Sequence, residues 1–430
     1  VGDEPIAYTD EAAFEQLRTI ADVFLTHDRP IHMRTDDSVV RCEGATTILS
    51  RRSRGYAPEP IKLVEPITAP VLACGAQLKH TFCIGTSDRA FMSHHIGDLG
   101  NEATWHSFVT GVEHFQRLFS IEPTLVAHDL HPDYLSTQYA ERSGLPTVGV
   151  QHHHAHIASC LVDNGCDETV IGLAFDGTGL GDDGTIWGGE WLVADTRTYR
   201  RVGRLTHLAL PGGDMAVRNP WRIGVAVLDS LYGRDWHSWS LPINRSFDEA
   251  AWRMLESSGG VSSWPRTSAM GRLFDAVSAI AGIRGAINYE GQAAIELEQV
   301  AERNASGAYE FAVTIDDGMT VLDWRPAIEQ LVRDLRNGAQ PGEVSARFHR
   351  GLADAAASLT IDIATTFSLS SVALSGGVFQ NALLLSLLSD RLVVNGLNVL
   401  THSHVPPNDG GISLGQVVIA AQTLNNPYEG

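Results

Sequence analysis

At 430 residues, 43% hydrophobic and 19% charged, the chain has the length of two or three domains and the composition of a globular protein with ample core. A formal net charge of −20 argues against a general nucleic-acid surface, and no apolar run approaches the roughly 20 residues that a membrane span needs. Five scattered cysteines without a CxxC pair argue against a disulfide framework or a four-thiolate zinc site, and fit a reducing cytoplasm. The acidic start, Val1 to Pro5, has no initiator Met and reads as the cut end of a longer chain, not as a signal peptide.

Residues 1–62 read as a small α+β segment. Asp10 can cap a helix with Ala13, Phe14, Leu17 and Ile20 on one face. Short strands are expected at Val23–Leu25, Ile31–Met33 and Val39–Val40. The run Arg51-Arg52-Ser53-Arg54 is either a solvated basic turn or an anion contact. Pro58, Pro60, Pro66 and Pro70 suggest a linker over 63–70. A first α/β half is expected over 71–165. Its strands are Val71–Cys74, His80–Ile84, Ala90–His94, Leu125–Ala127 and Thr147–Val150. Its helices are Asn101–Phe119, with an apolar face of Trp105, Phe108, Val112, Phe115 and Phe119, then Pro132–Arg142, and one that begins in the histidine run His152 to His156.

A second half is expected over 166–430. Strand Thr169–Phe175 pairs with Thr185–Val193 across a Gly-Asp-Asp-Gly turn, and Tyr199–His207 follows. A helical insertion occupies about 220–303. After it come a hairpin (Tyr309–Leu322), helices at Ala327–Leu335 and Gly342–Phe367, and a buried strand Ser371–Leu374 that runs into Gly376-Gly377. Helix Asn381–Leu388, strand Asn398–Thr401 and helix Gly411–Leu424 close the chain. The repeated order implies an internal duplication with a cleft between the halves.

His152 and His156 are four apart, so a helix sets them on one face as a two-point metal clamp. Asp176 and Asp409, each beside glycine at a strand or loop end, are the oxygen candidates. Two histidines and carboxylates suit Fe(II), Zn(II) or Mn(II). The pair alone better fits a histidine-rich helix start whose rings cap backbone or face solvent. His153 stands where a zinc peptidase of the HExxH type has its glutamate, so that chemistry is a poor match. His153, His154, His94, His95, His128 and His131 receive no ligand role. Glycine turns after strands, at Gly75 next to Lys79, at Gly177-Thr178-Gly179, at Ser375-Gly376-Gly377 and at Gly410-Gly411, let a backbone approach phosphate, although each is also an ordinary turn. Asp275 and Glu290 lie near glycine and could accept ribose hydroxyls or sit as surface acids. Cys160 falls on a packed helix, which favours a core thiol over a nucleophile.

The stretches CGAQLKHTFCIG, MSHHIGDL, AHDLHPDY, QHHHAHIASCL, FDGTGLGDDGTIWGGE, LPGGDMAVRNPWR, GRLFDAV, YEGQAA, LSGGVFQN and PPNDGGISLGQ follow one another between residues 74 and 416. In that order they resemble the C-terminal part of the HypF hydrogenase-maturation carbamoyltransferases. IHMRTDDSVVR and RRSRGYAP resemble the tail of the YrdC-like domain of the same family. The resemblance implies a duplicated actin/Hsp70/sugar-kinase fold with ribonuclease H-like halves, similar to the ATPase that makes threonylcarbamoyl-adenosine in tRNA. It places a divalent metal, Fe2+ or Zn2+ with Mg2+ alongside the nucleotide, on His152, His156, Asp176 and Asp409. It puts Gly177, Thr178, Gly179, Ser375, Gly376, Gly377 and Asn381 around a bound nucleotide, with Asp275 and Glu290 as ribose partners. Asp176 and Lys79 are then the catalytic candidates, with Lys79 near the phosphates or the carbamoyl group.

What the resemblance implies for function is a cytoplasmic, ATP-dependent carbamoyltransferase. It would bind ATP and carbamoyl-adenylate, the latter made from carbamoyl phosphate by the YrdC-like domain. It would pass the carbamoyl group to the C-terminal Cys thiolate of the partner HypE, towards a cyanide ligand of [NiFe]-hydrogenase. Only a YrdC-like remnant is recognisable at residues 1–62, so the expectation for this chain is transfer from supplied adenylate without efficient adenylate synthesis. Two other readings remain: O-carbamoylation of a small hydroxyl acceptor, and a nucleotide-bound docking module for HypE.

Overall fold

The computed structural model describes residues 6–43, 46–257, 260 and 263–425. The chain forms two compact units, Val1–Val150 with Ser403–Gly430, and Gln151–His402. The histidine helix therefore belongs to the second unit rather than to a first half ending at 165, and the C-terminal helix belongs to the first.

In the first unit the leading helix spans Asp10–Leu17, and its N-cap is Thr9, one residue ahead of the expected Asp10. The Thr9 hydroxyl accepts from the Ala12 amide at 3.2 Å. None of its residues is buried. Val23–Leu25 and Ile31–Met33 are not strands; as short runs they have no pairing segment among the described residues, and Leu25 is fully exposed. Strand Val39–Glu43 does form and pairs with Thr46–Arg51.

The expected linker over 63–70 is instead the middle of a 13-residue strand, Ile61–Ala73. Proline cannot donate to a ladder, and the register of this strand shifts between Lys62 and Ile67 and between Ile67 and Val71, the intervals that hold Pro66 and Pro70. The two strands expected at 80–84 and 90–94 are likewise one strand, Cys83–Met92, which carries Ser87 in the left-handed region rather than a turn. The sheet order is Cys83–Met92, Ile61–Ala73, Leu125–Asp129, Thr147–Val150, with the first pair antiparallel and the rest parallel. Helix Glu102–Phe119 is capped by the Asn101 side chain and buries Phe108, Val112 and Phe115. Pro132 lies ahead of the next helix, Leu135–Glu141. The C-terminal helix Ile412–Asn425 packs on the sheet; a Cβ at Gly85 would lie 2.3 Å from Val417 Cγ1.

The second unit has a seven-stranded sheet ordered Ala312–Asp316, Met319–Asp323, Tyr199–Leu205, Gly189–Ala194, Val170–Phe175, Ser371–Ser375, Asn398–Leu400. Its centre is an antiparallel meander of three strands followed by two parallel ones. This is the ribonuclease H-like half expected from the resemblance. The first unit repeats the pattern with two antiparallel strands in place of three. The duplication is thus present, with a shorter first copy.

Three local features differ from expectation. The strand expected from Thr185 begins only at Gly189. Residues 176–188 leave the sheet as an excursion whose tip is closed by the Gly181–Gly184 turn. The insertion begins earlier than 220: Leu208–Ala209 pairs with Arg266–Thr267 and frames helices Asp214–Arg218, Pro220–Tyr232 and Glu249–Ser257, with Met270–Ile280 and Gln292–Gln299 following. The long helix Pro341–Phe367 opens with a Gln340/Glu343 capping box and buries Phe348, Leu352, Leu359 and Ile363.

Several histidines are held neutral inside these units. Burial pushes His80, His154 and His349 down to about 4, against single backbone hydrogen bonds that favour the charged form. An unfolded histidine titrates near 6.5, so between about 6.5 and 4 the unfolded chain binds more protons. Stability is therefore full above that window and declines as pH falls through it. The urea midpoint is expected to drop between pH 7.5 and pH 5; a constant midpoint would mean that these imidazoles are not held neutral.

Candidate metal and nucleotide site

The helix His152–Asp163 starts with Gln151, whose side chain accepts from the His154 amide at 2.9 Å. Its first turn is entirely buried. The imidazoles of His152 and His156 share a face, with ring centroids 5.0 Å apart. Strand Val170–Phe175 ends beside them and presents Asp176. Asp176 Oδ2 lies 3.5 Å from His152 Nε2 and 3.6 Å from His156 Nε2. The ligand atoms of these three side chains fall within 4.8 Å of one another. Donors about 2.0–2.2 Å from one tetrahedral ion stand roughly 3.5 Å apart, so this buried set of two nitrogens and one oxygen fits a divalent cation.

Burial pushes the Asp176 carboxyl up, but the His152 and His156 imidazoles beside it outweigh that and hold it well below the usual carboxylate range. Burial lowers His156, and Asp176 opposes that shift. The site thus favours an ionised carboxylate, the form a cation requires. The other two histidines of the run point elsewhere. His153 Nδ1 lies 3.2 Å from Gln151 Nε2, and His154 Nε2 lies 2.7 Å from the Asp195 carbonyl.

The second Asp176 oxygen, Oδ1, accepts from the Gly377 amide at 2.9 Å. One carboxylate therefore links the histidine clamp to the glycine turn after Ser375. That turn needs glycine at Gly376: φ is +106°, and a Cβ would lie 2.2 Å from the Phe175 carbonyl oxygen. Gly179 is glycine for another reason, since a Cβ there would lie 2.4 Å from His153 Cε1 and 2.9 Å from His152 Cδ2. Gly177 is half-buried and Thr178 exposed beside them.

Other expected residues are placed as follows. The Ser375 hydroxyl is engaged with His402 Nε2 at 2.8 Å. Asn381 caps helix Ala382–Val394, accepting from the Leu384 amide, while its Nδ2 lies 2.9 Å from His349 Nε2. Asp275 is buried and paired with Arg272 at 2.9 Å; burial raises its carboxyl, Arg272 opposes that, and Glu290 adds to it. Glu290 is exposed. Lys79 and Asp409 belong to the other unit, Lys79 with φ of +46° and Asp409 at the start of the short turn Asp409–Gly411. Arg272, His402 and His349 escaped the sequence reading. Arg272 was visible in GRLFDAV, three residues before Asp275, where a helix puts both on one face; the other two are remote in sequence from their partners.

Two substitutions test this geometry. His156→Ala is expected to abolish stoichiometric metal binding, measured by elemental analysis after loading, while the circular dichroism spectrum stays unchanged; retained metal would overturn the ligand assignment. Gly376→Ala is expected to cost about 1–3 kcal/mol in urea unfolding, because the strand end has no room for a methyl group.

Comparisons with known proteins place these features in context. The profile of the second subdomain of the carbamoyltransferase Kae1-like domain matches residues 172–416, and that of the HypF Kae1-like domain matches residues 67–163. The carbamoyltransferase HypF2 of Cupriavidus necator is 42% identical over an alignment covering 99% of this chain and 56% of the relative. A carbamoyltransferase HypF homolog from the same organism is 39% identical over 82% of this chain and 92% of its own length. Among solved structures, full-length HypF in a phosphate- and nucleotide-bound form superposes with a TM-score of 0.93 at 39% identity, covering 99% of this chain and 67% of that one. HypF of T. kodakarensis gives 0.88 at 30% identity, covering 98% and 56%. The chain spans about half the length of the first curated relatives it matches.

Proposed function

The chain belongs to the HypF carbamoyltransferase family, and from that premise we propose that it performs the transfer step of [NiFe]-hydrogenase maturation. In this reading it binds carbamoyl-adenylate, or ATP, and passes the carbamoyl group to the C-terminal Cys thiolate of HypE. The observation that carries the proposal is the Asp176 carboxylate, shared between the His152/His156 clamp and the Gly377 amide. It joins a metal donor set to a backbone turn suited to phosphate. The nucleotide in a solved family member, 39% identical to this chain, supports the same use of the fold.

His152, His156 and Asp176 would hold the divalent cation, with Asp409 as the proposed fourth ligand. Such an ion supplies positive charge that polarises a carbonyl or neutralises a phosphate. The chain's own groups do the rest. The Gly177–Gly179 and Gly376–Gly377 backbones admit the phosphate, and Thr178 offers an exposed hydroxyl. Asp275 and Glu290 face the ribose, and Lys79 contributes charge near the phosphate or carbamoyl oxygen. Ser375 and Asn381 fix the turn through His402 and His349. The acceptor thiol in this reading is the partner's; burial pushes the Cys74 and Cys160 thiols up, and that of Cys83 up to about 12, which disfavours a thiolate at these three.

Incubating HypE with this chain and synthetic carbamoyl-adenylate is expected to add one carbamoyl group to the terminal cysteine of HypE, read by peptide mass spectrometry. The same incubation with Asp176→Asn is expected to give a large loss of rate. Binding of HypE without modification would overturn the transferase reading in favour of a docking role.

A further inference from the structure

Helix Met270–Ile280 begins against the Asp176–Gly177 strand end. The Gly271 amide donates to the Asp176 carbonyl at 3.0 Å, and a Cβ on Gly271 would lie 3.0 Å from Gly177 Cα. The first turn of this 11-residue helix, with its positive dipole end, therefore abuts the glycine turn. Arg272 stands in that turn and is only 6% exposed. Its Nη2 lies 3.5 Å from the position of a Cβ on Gly177, so the guanidinium borders the half-open face of Gly177. Asp275, three residues on, pairs with the same Nη2 at 2.9 Å. Arg272 Nε, also buried, has no hydrogen-bond partner among the described residues.

A buried arginine donor left without a partner is costly, and the helix could have taken an apolar side chain at this position. A guanidinium bordering Gly177 supplies positive charge where a phosphate would meet that turn, and its planar fork matches two phosphate oxygens. Asp275 holds Nη2 and so fixes the plane of the guanidinium beside Gly177.

We propose that Arg272 is the residue that reads the phosphate of the bound nucleotide, distinguishing a nucleotide from its nucleoside, and that Asp275 positions it. This rests on the nucleotide reading proposed above. The test is calorimetric titration of the 430-residue chain with AMP and with adenosine, for the parent, Arg272→Ala and Arg272→Lys. The parent is expected to bind AMP more tightly than adenosine. Arg272→Ala should shrink that preference roughly 10–100-fold, the worth of one hydrogen-bonded charge, with adenosine affinity changed less than about twofold. Arg272→Lys, which keeps charge without the fork, should fall between them, and it carries the test if the alanine variant does not fold. An unchanged preference overturns the proposal, and so does an equal loss for both ligands, which would mark Arg272 as structural. If the parent binds neither ligand, the nucleotide reading itself fails, an outcome separate from either.

Discussion

The Asp176 carboxylate is the constraint on which the second unit's site depends. One oxygen faces the imidazoles of His152 and His156, and the other accepts from the Gly377 amide. Its own backbone bonds to Gly188 and Gly271. A single residue at a strand end thus ties together the histidine helix, the excursion 176–188, the insertion helix Met270–Ile280 and the glycine turn after Ser375. The arrangement persists inside a buried environment because both oxygens of the carboxylate have partners and because the two imidazoles keep it ionised.

Around that residue, glycines mark close approach rather than flexibility. Gly376 lets the strand Ser371–Ser375 pass the carbonyl of Phe175, and Gly179 gives room to two histidine rings. Behind them a second tier of polar contacts holds the turn: Ser375 to His402, Asn381 to His349, and Asp275 to Arg272. Function in this reading comes from placing backbone amides and charges where a phosphate would lie, so the supporting residues bear on the chemistry as directly as the donor atoms do.

The two units show how one topology carries different loads. Both set an antiparallel pair beside parallel strands, yet the second builds the histidine clamp and the glycine turn at the ends of its strands, while the first spends its long strand on a bulged path through Pro66 and Pro70. Proline forced the linker reading from composition; the register shifts that accommodate it exist only once a partner strand is in place.

The sequence by itself determined the helical clamp, the strand-end acid, the glycine turns and the duplicated order, because helical spacing, strand hydrophobicity and glycine are local signals. That His152 and His156 share a helix face beside a strand-end acid was legible for that reason; reading them with Asp176 as a metal set rested on the ordered motifs that made the family legible. Tertiary structure decided what local signals cannot carry. It decided that two apparent strands are one, Cys83–Met92, and that Ser375 and Asn381 lean on His402 and His349. It also decided that the Arg272–Asp275 pair, local to one helix, lies beside Gly177. Those facts depend on which distant segments meet, and pairing across tens or hundreds of residues leaves no periodicity for a sequence reading to find.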